Sequence, residues 1–115
     1  MEKIIPTEHA EQVALIQWWE LKKLPPIFAI PNGGHRHKAT AIKLKLEGVR
    51  PGVPDLYCPE LKLWIEMKRS KGGRLSEDQI DWRDHLLSIG DRWIVVKGAV
   101  DAVDQVKKIL KKHKQ

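Results

Sequence analysis

The chain is poor in the residues that announce extracellular or membrane proteins. Among 115 residues there is one cysteine, one tyrosine, one phenylalanine and two methionines. The lone thiol, Cys58, excludes an internal disulfide framework and fits a reducing compartment. It also makes a zinc site unexpected, since the five histidines show no paired ligand spacing. No apolar run approaches the roughly 20 residues of a membrane span, so no membrane partner is expected. The opening Met1-Glu2-Lys3-Ile4-Ile5-Pro6 carries no signal-peptide core, and the expected location is the cytoplasm. Internal repeats, low-complexity tracts and long linkers are missing too. Residues 1–115 therefore read as a single domain with one core.

What is abundant is positive charge and tryptophan. Hydrophobic residues make up 42% and charged residues 31%, which excludes a disordered chain. Lys and Arg number 21 against 15 Asp and Glu, a formal surplus of +6 that points to a polyanionic partner. Five tryptophans are many for this length. Trp18, Trp19 and Trp93 are expected in the core, while Trp64 and Trp82 are candidates for base stacking or an interface.

Periodicity divides the chain into alternating elements. From Thr7, a candidate N-cap, Ala10, Val13, Ala14, Leu15, Trp18 and Trp19 recur at helical spacing until Pro25-Pro26 stops the helix. Residues 27–30 form a short apolar strand, closed by the turn signal Pro31-Asn32-Gly33-Gly34. A second helix is expected over 37–47, with Ala39, Ile42 and Leu46 on one face and Gly48 as terminator. Strands follow at 56–58 and 61–68. In the latter, Leu61, Leu63, Ile65 and Met67 alternate with Lys62, Trp64, Glu66 and Lys68. Ser76 opens a helix to about residue 89, with Gln79 as its capping-box partner and Gly90 as its end. Residues 93–96 are a buried strand, and a last helix covers 99–112. The sum is an α/β domain with a mixed sheet, helices on both faces and a right-handed βαβ unit.

Asp55, Glu66 and Lys68 carry the chemistry. Glu66 and Lys68 lie two apart on one strand and so leave the same face. If the strand beginning after Asp55 pairs with theirs as a hairpin, the two carboxylates converge. Two carboxylates, water and phosphate oxygens suit Mg²⁺ or Mn²⁺, hard cations that prefer oxygen ligands. A lysine beside them can orient or deprotonate an attacking water and steady developing negative charge. The bland reading is a solvated strand-face ion pair and a turn aspartate after Pro54. Around this trio, Arg69, Lys71 and Arg74 would lie beside a bound phosphate backbone. His35, Arg36 and Lys38, near the glycine turn, could contact phosphate or belong to a solvated loop.

The stretch Gly48-Val49-Arg50-Pro51-Gly52-Val53-Pro54-Asp55-Leu56, followed by Leu63-Trp64-Ile65-Glu66-Met67-Lys68, resembles the virus-type replication–repair nuclease (VRR-NUC) family. So do Pro31-Asn32-Gly33-Gly34 upstream and Gly73-Arg74-Leu75-Ser76-Glu77-Asp78-Gln79 downstream. The resemblance runs from about Glu8 to Val96, and only the combined motif set is specific. It implies a restriction-endonuclease-like core of the PD-(D/E)xK type, a mixed β-sheet flanked by helices. It implies catalysis by Asp55, Glu66 and Lys68 with Mg²⁺ or Mn²⁺ held by Asp55 and Glu66. The family's further metal-binding glutamate falls on the first helix, where Glu8 and Glu11 both qualify and Glu8 is preferred. The main-chain carbonyl of Met67 is another candidate ligand. Gln79, a cap by spacing, falls near the active site by resemblance.

The expected function is a structure-selective DNA endonuclease of phage or prophage origin, acting as a homodimer on four-way junctions. Alternatives are a monomeric nuclease for flaps or branched DNA, a sequence-specific restriction-type enzyme, and a non-catalytic DNA-binding relative.

Overall fold

The computed structural model of the chain describes residues 4–31 and 38–114. The elements run α1 (Glu8–Leu21), β1 (Phe28–Ala29), α2 (Lys38–Leu46), β2 (Leu56–Cys58), β3 (Leu63–Lys68), α3 (Glu77–Ser88), β4 (Arg92–Lys97) and α4 (Ala99–His113). The four strands form one sheet in the order β1-β2-β3-β4. β1 pairs antiparallel with β2, β2 antiparallel with β3, and β3 parallel with β4. This is the mixed α/β sheet that the alternation and the βαβ spacing imply.

Local chemistry sets the element boundaries. Thr7 Oγ1 accepts a hydrogen bond from the Ala10 amide at 3.1 Å and starts α1. Ser76 and Gln79 close a full capping box on α3, each side chain answering the other's backbone amide. α4 has no such residue, because its N-cap is Gly98. Glu11 on α1 supplies the missing acceptor, taking the Ala99 amide at 3.3 Å. Its carboxylate also complements the positive end of that helix.

The sheet is covered on both faces. Leu63, Ile65 and Met67 of β3, with Leu56, Cys58 and Val96, meet Leu15 and Trp19 of α1 and Ala102 and Val106 of α4 in one buried cluster. The exposed lysines of α4 (Lys107, Lys108, Lys111 and Lys112) lie off that face. On the opposite face α3 packs against β4. There the guanidinium carbon of Arg83 stands 5.8 Å over the Trp93 ring.

Two expectations need correction. Among the described residues, the apolar face of α2 covers no helix or strand. Ala39 is exposed, Ile42 is 53% and Leu46 84% exposed, and α2 packs against no other described helix or strand. Helical spacing identified the face but carries no information about whether the chain folds back over it. The tryptophans also divide differently. Trp19 is buried and Trp18 packs against the core, whereas Trp93 is half-buried on the α3 face. Trp64 stacks on Tyr57 with centroids 4.1 Å apart and donates to Asp91 at 3.0 Å. Trp82 donates to the Pro51 carbonyl at 3.1 Å. Both therefore have packing roles within the fold.

Candidate active site

Antiparallel pairing of β2 with β3 places Leu56 opposite Ile65. Asp55, one step earlier, therefore stands across from Glu66. Asp55 Oδ2 accepts the Met67 amide at 2.7 Å, which fixes its carboxylate against the strand that carries Glu66. Pro54 is fully buried just before it, and the Asp55 carbonyl takes the Ile30 amide at 2.8 Å. The aspartate is thus anchored from both sides.

Glu66 is only 3% exposed, in a sheet layer that gives its carboxylate little water. Burial, above all, pushes its pKa up to about 9; the hydrogen bond to Asp55 and that residue's charge act the same way, and Lys68 opposes them. The charge of Glu8 adds to the rise, so the start of α1 lies within electrostatic reach of the site. These influences favour the protonated form of Glu66 at neutral pH. Two carboxyls forced together in this way are costly to ionise unless a cation joins them.

Lys68 is also buried, at 8% exposure. Its ammonium donates to Gln79 Oε1 at 3.0 Å, and the same oxygen accepts the Ser76 amide at 2.9 Å. Gln79 caps α3 and, through the same oxygen, accepts from Lys68, so the cap and the place beside Lys68 are one arrangement. The helix terminus that Gln79 closes is also the fixed point for Lys68.

The remaining candidates fall into three groups. Glu11 is occupied at the start of α4, whereas the charge of Glu8 acts on Glu66. The Met67 side chain lies in the core, so only its main chain is open to ligation. Lys38, Arg69, Lys71 and Arg74 are exposed, the first at the start of α2 and the others on the segment after β3. His35 and Arg36 lie outside the described residues. Two features escaped the sequence reading, Lys97 and the close approach of Gly73 to Lys68. Strand parity held a signal for the first, since Lys97 aligns with Lys68 in the parallel pairing.

Among the described residues, no three His, Cys, Asp or Glu side chains form a ready-made metal cluster. The donor chemistry nonetheless fits a hard divalent cation. Asp55 and Glu66 offer only oxygen, they repel one another when ionised, and Glu8 adds a third negative charge nearby.

No family model matches the sequence, and no curated protein matches it. A solved structure described as a VRR_NUC domain protein superposes with a TM-score of 0.79 at 24% identity, covering 94% of this chain and 91% of its own. The chain therefore shares the fold of that protein over nearly its whole length. No described helix is long and apolar enough to cross a membrane.

Proposed function

We propose that the chain is a metal-dependent nuclease of the VRR-NUC type that hydrolyses DNA phosphodiester bonds. One observation carries this reading: Glu66 and Lys68 are buried on one face of β3, with Asp55 across from Glu66 and the Lys68 ammonium held by Gln79. A sheet face normally carries charge toward water. Here a carboxyl and a lysine are kept under cover beside a second, partly exposed carboxyl, which costs stability unless the site is used. The fold shared with a VRR_NUC domain protein points to the same chemistry.

Asp55 and Glu66 would hold Mg²⁺ or Mn²⁺, with Glu8 as the further carboxylate and the Met67 carbonyl as a main-chain ligand. The cation would neutralise charge on the scissile phosphate and acidify the attacking water. Lys68 orients that water and meets the charge that develops on the phosphate. Gln79 keeps the ammonium aimed, and the α3 cap keeps Gln79 in place. Arg69, Lys71, Arg74 and Lys38 lie exposed on segments leading to and from this machinery and would contact the phosphate backbone.

The substrate is branched DNA, cut by a homodimer. A junction that must be cut symmetrically needs two sites, and a two-fold dimer supplies the second. Support comes from α2, whose exposed Ile42 and Leu46 are covered by no described helix or strand. A panel of four-way junction, flap, fork and linear duplex in Mg²⁺, with EDTA as control, tests the whole reading. Junction cleavage that EDTA abolishes is expected. Strong cutting in EDTA would end the metal mechanism, and binding without cleavage would mark a non-catalytic DNA-binding protein.

A further inference from the structure

We propose that Lys97 is a positioning residue for Lys68, acting through the 69–76 segment between β3 and α3. The inference rests on the nuclease reading above for its consequence in catalysis, but not for its geometry. Lys97 closes β4 and is the register partner of Lys68 at the end of β3. Its ammonium donates to the Gly72 carbonyl at 3.1 Å and to the Gly73 carbonyl at 2.9 Å. Both glycines are left-handed, with φ of 74° and 77°. Two successive residues in that region bend the chain as L side chains rarely can, and here the bend brings two carbonyls to one ammonium.

The bend lies directly on the catalytic lysine. A Cβ added at Gly73 would stand 3.3 Å from Lys68 Cδ and 3.5 Å from its Cβ. Gly73 thus rests on the stem of Lys68, while Gln79, reached at the far end of the same segment, holds its tip. The stem and the tip are gripped by two points on one piece of chain. That piece would be free to lift, because Gly72, Gly73 and Arg74 are exposed to water. Lys97 ties its middle to the sheet. The main chain beneath is fixed as well: Asp101 Oδ2 takes the Lys97 amide at 2.7 Å, and the Lys68 carbonyl takes the Gly98 amide at 3.0 Å. The tie therefore runs from a hydrogen-bonded strand end to an exposed bend.

If this is its role, removing the Lys97 ammonium misplaces Lys68 without removing a phosphate contact. The test compares Lys97→Met and Lys97→Arg with wild type, using Lys107→Met on the outer face of α4 as the control. Two readouts are taken: steady-state cleavage of a DNA junction in Mg²⁺, and acylation of Lys68 by an amine-selective reagent followed by mass spectrometry. In Lys97→Met, kcat should fall roughly tenfold to a hundredfold, the scale of a small misplacement of a reacting group, with KM little changed. Lys68 acylation should rise severalfold in the same protein. Lys97→Arg, which keeps several donors, should recover most of both properties, and the control should change neither. A rise in KM with kcat and Lys68 labelling unchanged would make Lys97 a phosphate contact and overturn the proposal. So would unchanged values throughout. Wild-type protein that cuts no DNA would remove the nuclease reading, while the labelling experiment would still decide the tie.

Discussion

Glu66 links the site to stability through its proton. Its carboxyl is raised from 4.5 to about 9 in the folded chain, chiefly by burial and then by Asp55. Below pH 4.5 folded and unfolded chains both carry the proton, and the group has no effect. Between pH 4.5 and about 9 the unfolded chain releases it and the folded chain retains it, so stability falls as pH rises, by on the order of 1 kcal/mol per unit. Glu66→Gln removes that slope. In EDTA the variant should match wild type near pH 5 and exceed it at pH 8 in urea denaturation; parallel curves across that range would refute the buried-carboxyl account. Asp55→Asn and Lys68→Met should each abolish most cleavage and leave the fold intact. Asparagine retains an oxygen for the Met67 amide, and methionine fills the buried stem under Gly73. Cleavage near the wild-type rate in Asp55→Asn would sink the site. Alternation alone placed Glu66 and Lys68 on one face and let the hairpin bring Asp55 across from them. The depth of their burial was not legible, because a period of two reports which face a residue takes and not how deeply that face is covered.

At the scale of elements, the junction of β3, its loop and α3 depends on tight glycine contacts. Gly52 has a φ of +85°, and an added Cβ would meet the main-chain carbon of Asp78 at 2.5 Å. Gly48 has a φ of +100° and open space around it. Gly48→Ala should therefore cost only the left-handed strain, about 1 kcal/mol. Gly52→Ala must in addition push the start of α3 away from the turn before Asp55, and should cost clearly more. It should also lower cleavage, because Gln79 lies on that same first turn. Thermal melts of the two variants check the order, and equal losses would show that the turn does not bear on α3. The helix boundaries were readable because caps and terminators are local: Thr7, Ser76, Gln79 and Gly90 need only their neighbours in sequence. The cap of α4 was not, since its acceptor, Glu11, lies 88 residues away. A carboxylate on the first turn of a helix looks the same from the sequence whether it serves a metal, its own helix or another.

For the whole molecule, the most telling feature is what α2 leaves uncovered. A nine-residue helix is marginal on its own in water, and this one has no buried residue. The radius of gyration, 15.0 Å, exceeds the roughly 13 Å of a compact chain this long. Ile42 and Leu46 are exposed one turn apart on this helix, on a single apolar face. If a second copy covers this face, replacing Ile42 and Leu46 with glutamate should convert a dimer into a monomer. The carboxyl trio and Lys68 are untouched by those changes, so cutting of linear duplex should persist while the preference for junctions is lost. The basic surface should remain as well, leaving affinity steeply dependent on salt and nearly indifferent to base composition. Light scattering at micromolar concentration, paired with junction and duplex cleavage by the same preparation, separates the outcomes. A wild-type monomer with no junction preference would remove the dimeric reading and leave the nuclease site standing. A dimer that survives both glutamates would place the interface elsewhere, with the exposed Phe28 on the edge strand β1 as the next surface to change.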